Sequence, residues 1–496
     1  MPPTASIIIP NYENGRESSV DGGTDLLGDL FESLHHTLRS DPTDVEILVA
    51  DDGSGDDSLE TARAWSRRTW RDGRPFCRLF EHEHTGRLSV VLNRLMERAT
   101  GRLICRMDGD VLLRSPGWLA RVVERFDSEE RLGVLGGRQL DCTGALHSVG
   151  DLLLHPHGYQ HVGAGAASEV SCPPYEHDHV MGCFHLLRRT AFDEVGGYDE
   201  SMPRGQTVDL GVRLLQSGWK AMTDPDIVYE HRLALRRGRS SSSDGQDSLA
   251  VSRRIFFEKW GFDRLVPDQD AMRDRLGEVL VPTTEGRFPD PAGIGAPEDE
   301  IENRVALVRG AVRPNQPVRV AMIGAGDGSV PARLVGHGIK VTGLDDRPEA
   351  IEAARAVVDG DALPVPHLVD DLARLPIEEG LIDILLVDRV LERHRNPIAL
   401  LKEARRIMAP GGLLLLLARW RTPEEQLVAP RSASTFTPTS LRMFLAGSGC
   451  FRSVPFATKP FPHPQRDVLL YALHPLAEID LGREAFDGIG DPTLVD

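Results

Sequence analysis

Nowhere in the 496 residues is there a run of about 18 apolar side chains, the length a bilayer-spanning helix needs. The most apolar stretch, Leu413–Ala418, is only strand-length. Cysteine is scarce. Cys77, Cys105, Cys142, Cys172, Cys183 and Cys450 include no CxxC pair, which argues against a zinc ribbon or a thioredoxin-like site. They read as buried thiols of a reducing compartment. Positive charge is also short: 57 Lys and Arg against 75 Asp and Glu leave a net charge of −18, whose field repels nucleic acid and anionic membrane. The opening MPPTASIIIPNY lacks a basic region and has too short an apolar run for a signal peptide, so the expected location is cytoplasmic.

Two stretches alternate strand and helix signals. In the first, Ser6–Pro10, Val45–Asp51 and Leu103–Asp108 are short Ile-, Val- and Leu-rich runs ending in polar residues. Between them Leu88, Val91, Leu92, Leu95, Met96 and Ala99 repeat at helical spacing and should face a sheet. The second alternation runs from Val318 through Lys340–Leu344 and Ile382–Asp388 to Leu413–Ala418. Such alternation predicts an α/β chain with parallel sheets and ligands at the carboxyl ends of the strands. Residues 238–248 read as a polar loop, Ser252–Gly261 as a closing helix, and 282–297 is dense in Pro and Gly. The expected organisation is a first domain over 1–263, a linker over 264–313, a second domain over 314–478 and a tail over 479–496.

In the first half, Asp51-Asp52-Gly53-Ser54 ends one strand and Asp108-Gly109-Asp110 another. Two carboxylates separated by one Gly suit a hard divalent cation and leave room for diphosphate oxygens. Gly196-Gly197-Tyr198-Asp199-Glu200 and Val208-Asp209-Leu210 follow, then Gly218-Trp219. With the opening SIIIPNYENG, this ordered set resembles the inverting family 2 glycosyltransferases of GT-A fold over roughly residues 5–260. The resemblance implies that Pro10, Asp51, Asp52 and Asp108 bind a nucleotide-sugar donor. It also implies that Asp110, and His231 after the next strand, hold Mn²⁺ or Mg²⁺. Members of the family carry Glu-Asp before the helix, the Asp being the general base. Here those positions are Gln206 and Thr207, so either Asp209, Asp199 or Glu200 substitutes, or the acceptor needs no strong base, or transfer is slow or lost; Asp209 is the expected catalytic base. The doublets His82/His84, His155/His157 and His177/His179 could place each pair on one strand face, but without a third zinc ligand they read as acceptor-pocket or surface residues.

In the second half, Val320–Ile323 runs into Gly324-Ala325-Gly326-Asp327-Gly328, where a backbone without side chains admits a nucleotide-like ligand. Asp345 lies 21 residues after Gly324, placed for ribose hydroxyls. Asp371-Leu372, Asp388-Arg389-Val390-Leu391-Glu392 and Met408-Ala409-Pro410-Gly411-Gly412 complete a series. It resembles class I methyltransferases of the ubiquinone-biosynthesis type, a Rossmann-like fold. The resemblance implies S-adenosylmethionine bound by Gly324, Gly326, Gly328 and Asp345, with Asp371 and Leu372 flanking the adenine. Met322 stands where an acid is usual, and Arg393 where a His is usual; Asp388 and His394 are the candidate bases.

These readings predict a bifunctional transferase that adds a sugar and a methyl group to a glycan, lipid-linked or natural-product acceptor. Nucleic acid is not an expected partner, and a homo-oligomer is compatible with the chain. Two other readings compete: a glycosyltransferase with a structural second domain, and a non-catalytic ligand sensor.

Overall fold

The computed structural model describes residues 2–154, 156–236, 243–277, 298–313, 317–357, 365–428, 431, 436–454, 468–479 and 493–494. The chain forms two compact units, 1–153 with 160–261, and 154–159 with 262–496.

The first unit is built on a ten-stranded sheet. Its parallel part runs Leu103–Met107, Ala5–Asn11, Val45–Asp51, Arg78–Glu81. On the other side Phe184–Arg188 joins Leu103–Met107 antiparallel and leads to Leu132–Leu140, Lys220–His231 and Tyr175–His177. The sheet is therefore mixed rather than parallel throughout. Helix Leu88–Arg98 lays Val91, Leu92, Leu95 and Met96 against Ile8, Leu48 and Ile104, as the helical spacing requires. Helix Leu26–Leu38 covers the other face; Asp25 caps it by accepting the Gly28 N–H. The expected loop over 238–248 is helical from its sixth residue, within helix Ser243–Trp260, and its earlier part, 238–242, lies outside the described residues.

The second unit has an eight-stranded sheet in the order His367–Leu368, Val341–Asp345, Val320–Ile323, Ile382–Asp388, Met408–Arg419, Val468–Pro475, Phe451–Ser453. The first five strands are parallel and the last two antiparallel. The order reverses at Val320–Ile323, so the crevice lies beyond the carboxyl ends of that strand and Ile382–Asp388. The stretch 264–313 holds helices Gln269–Leu276 and Glu298–Ala311. Ile301, Val305 and Val308 of the latter pack with Val320, Met322 and Leu386 in the second unit's core.

Candidate functional sites

Asp108 and Asp110 leave the end of strand Leu103–Met107 through a tight turn. A Cβ on the intervening Gly109 would meet the Asn14 side-chain amide at 2.5 Å, so a larger residue would have to displace Asn14. His231 ends the long strand Lys220–His231, whose pairing with Val111–Leu113 sets His231 opposite Val111, next to Asp110. One ligand atom from each of Asp108, Asp110 and His231 lies within 4.8 Å of the others. The His231 Nε2 is 3.4 Å from Asp110 Oδ1, and Arg236 approaches the other oxygen at 4.0 Å. Gln139 contacts His231 Nδ1 at 3.4 Å. Burial opposes a charged His231 ring, but Cys183 and Asp110 outweigh it and raise its pKa well above the ordinary value. Arg106, buried on the adjoining strand, donates to Asp108 Oδ1 at 3.0 Å. Two carboxylates and an imidazole are a donor set that suits Mn²⁺ or Mg²⁺.

The DDGS turn separates its two acids. Asp51 is buried, and its carboxylate accepts from Asn11 Nδ2, the Gly53 and Ser54 amides and Ser54 Oγ. It builds the turn, and its carboxylate is buried within it. Pro10, buried on the same sheet opposite Ala50, likewise shapes the strand. Asp52 accepts from the Thr85 amide and hydroxyl at 2.9 and 3.1 Å, and His84 Nδ1 lies 3.1 Å from it. The half-exposed His84 ring stacks on Tyr12 at 4.3 Å. This flat pair beside Asp52 is the size of a base platform, and the sequence reading missed it because Tyr12 and His84 are 72 residues apart.

Asp209 is placed otherwise than expected. It is fully buried in the first turn of helix Gln206–Gln216, and its oxygens bind Arg213 (2.9 Å), Lys259 (2.8 Å) and Trp260 Nε1 (3.0 Å). A carboxylate enclosed by two cations and an indole N–H is a structural tie, not a proton acceptor for a substrate. Thr207 is the residue that faces inward: a Cβ on Gly182 would stand 2.8 Å from its Oγ1 and 3.2 Å from Arg106 Nη1. Asp199 is paired with Lys259 at 2.8 Å; burial raises its pKa, but Lys259 and Ser201 pull it down to about 2. Glu200 accepts from Asn93.

Of the histidine doublets, His84 stacks on Tyr12. His179 joins a buried cluster in which Asp151 binds His161 Nδ1 at 2.7 Å and His179 Nδ1 at 2.9 Å. His147 lies 4.7 Å from His161, and burial, then His161, lowers its pKa to about 4. His155 lies outside the described residues. Among the described residues only Asp108, Asp110 and His231 converge as metal ligands.

In the second unit, Gly324, Gly326 and Gly328 all have positive φ. A Cβ on Gly324 would meet the Asp388 carbonyl at 2.6 Å. The Gly326 amide donates to Asp345 Oδ2 at 2.9 Å, so turn and acid are joined. Asp345 is fully buried, and Arg347 grips it with its amide (3.1 Å) and Nε (2.9 Å) on Oδ1 and Nη2 (3.0 Å) on Oδ2. Burial would raise the Asp345 pKa; Arg347, with Arg393 and the Gly326 amide, lowers it. Asp371 meets His394 Nε2 at 3.3 Å; that contact outweighs burial and takes its pKa to about 2. The Leu372 side chain is fully buried in the hydrophobic core, so it offers no side-chain surface to an adenine ring. Met322 also faces the core. Asp388 is held by Arg304 at 2.5 Å and by Arg389 at 3.1 Å, which removes it as a base candidate.

Residues 6–196 match the family described as Glycosyl transferase family 2, and residues 321–416 the family described as Methyltransferase domain. A Bacillus subtilis protein named as glycosyltransferase EpsE is 25% identical over 236 residues, 46% of this chain and 72% of its own length. An uncharacterized methyltransferase of Mycobacterium tuberculosis is 33% identical over 110 residues, 22% of this chain and 42% of its own. The ubiquinone biosynthesis O-methyltransferase of Xanthomonas campestris is 30% identical over 123 residues, 24% of this chain and 52% of its own. An uncharacterized 37.1 kDa transposon protein of Streptomyces fradiae is 37% identical over 86 residues, and the chain spans only 24% of its length. Among solved structures, S. aureus TarS 1-349 in complex with UDP-GlcNAc aligns at 15% identity and a TM-score of 0.38, covering 67% of this chain and 83% of that one. The chain thus carries a family 2 glycosyltransferase domain followed by a methyltransferase domain. A methyltransferase domain implies S-adenosylmethionine. The glycine turn suits such a ligand, but Asp345, already filled by Arg347, does not fit ribose binding as it stands. No helix among the described residues is long and apolar enough to cross a membrane.

Proposed function

We propose that the first unit transfers a sugar from a nucleotide-sugar donor to an acceptor hydroxyl, with inversion and with a divalent cation at Asp108, Asp110 and His231. The observation that carries this reading is the convergence of those three residues, since His231 comes from a strand beyond the matched family segment. A cation there would neutralise the nucleoside diphosphate as it leaves. Arg106 orients Asp108, and Tyr12 with His84 offers the base a stacking surface beside Asp52. The second unit is read as adding a methyl group to the same product, in glycan or natural-product assembly.

Calorimetry with UDP, GDP and dTDP, each with and without Mn²⁺, tests the donor site. Wild type should bind at least one of them in a Mn²⁺-dependent way. Asp110→Asn should lose that dependence and keep its thermal stability. Equal affinity in the variant, or in wild type with chelator, refutes the proposal.

A further inference from the structure

The second unit's ribose acid is already occupied by the chain itself. Asp345 ends strand Val341–Asp345, and Arg347 stands two residues on, before helix Pro348–Val357. An ionised carboxylate offers about four acceptor positions on its two oxygens. The Gly326 amide takes one, and the Arg347 amide, Nε and Nη2 take three. The last two form a fork matched to a carboxylate, the strongest kind of protein hydrogen-bond pair. Both side chains are buried, so little solvent weakens the pair, and Arg393 adds positive charge at 3.9 Å. A ribose diol binds through the same oxygens and must first displace the guanidinium.

We infer that Arg347 acts as an internal stand-in for the ribose, closing the cofactor site of the second unit and setting its affinity for S-adenosylmethionine and S-adenosylhomocysteine. The inference rests on the reading of this unit as a methyltransferase. Arg347 is a positioning residue: it acts through Asp345. Serine at position 347 would leave the Asp345 oxygens to the Gly326 amide, the backbone amide of residue 347 and the ligand. Lysine would keep the charge without the fork.

The test is calorimetry on the full chain with S-adenosylhomocysteine and with S-adenosylmethionine. Arg347→Ser should bind at least tenfold more tightly than wild type, and Arg347→Lys should fall between them. Adding Asp345→Ala to Arg347→Ser should erase the gain, which a general loosening of the fold would not do. Thermal unfolding of each variant establishes that it is folded, and Arg347→Lys carries the comparison if the serine variant is not. Wild type binding as tightly as both variants overturns the inference and leaves the methyltransferase reading intact. No binding by wild type or any folded variant overturns both.

Discussion

Asp209→Asn separates a structural carboxylate from a catalytic one. Asparagine keeps the shape and an acceptor for Trp260 Nε1 but removes the charge that Arg213 and Lys259 share. Taking away one member of a buried ion pair costs about 3–5 kcal/mol. Both cations retain other partners: Arg213 donates to the Val195 and Gly197 carbonyls, and Lys259, about a third exposed, pairs with Asp199. The expected loss is therefore nearer about 2–3 kcal/mol, since solvent and alternative acceptors offset part of it. For a unit of this size that lowers Tm by about 5–10 °C. Thermal unfolding with Mn²⁺-dependent nucleoside diphosphate binding below the transition reads both effects. The variant should melt earlier and bind as wild type does. A variant with unchanged Tm whose sugar transfer falls by about 10²–10⁴, the usual contribution of a general base, would refute the reasoning and restore Asp209 as the proton acceptor.

Thr207→Asp puts a carboxylate beside Gly182 and Arg106, and should raise donor hydrolysis, measured as nucleoside diphosphate release, by about tenfold or more. An unchanged or lower rate would mean that the acceptor's proton leaves elsewhere. Glu392 is buried and its pKa is pushed up to about 7, chiefly by burial. Its contribution to stability is complete below the ordinary glutamate range and is lost as pH rises to about 7, so Glu392→Gln should gain about 3 kcal/mol on wild type between pH 4.5 and 8 in urea unfolding; parallel curves would refute this. Gly324→Ala forces a side chain into φ +81° and against Val390 and the Asp388 carbonyl, and should cost the second unit about 2–5 kcal/mol in the same assay. Wild-type stability would show that the turn yields.

The sequence made some of the first site legible and hid the rest for identifiable reasons. Asp108 and Asp110 stand out in the sequence because a strand-end turn holds two carboxylates on either side of one glycine. His231 is expected there only through the family resemblance; the strand pairing that sets it opposite Val111, next to Asp110, is not written in the sequence. Asp51 and Asp52 are adjacent and chemically identical, yet a strand end sends them to opposite tasks: Asp51 to Asn11 and Ser54, Asp52 to Thr85 and His84. No local pattern distinguishes them. The partners of Asp209 are hidden for the same reason, because Lys259 and Trp260 lie some 50 residues away on a helix whose packing the motif does not encode.

The second unit shows a different limit. Arg347 is visible in the sequence, two residues from Asp345, and Asp388 sits in its expected strand end. What the pattern cannot say is which partner satisfies a buried carboxylate. Burying an unpaired charge costs more than any surface contact returns, so each acid must find a cation, a metal or a set of amides. Asp345 takes Arg347, and Asp388 takes Arg304 from helix Glu298–Ala311, a stretch read as linker. In the first unit Asp108 takes Arg106 and Asp110 lies near Arg236, yet both also converge with the His231 imidazole on a spot that suits a cation. The same residue type at the same place in a strand–turn unit thus converges with a second carboxylate and an imidazole in one unit and closes on an arginine fork in the other.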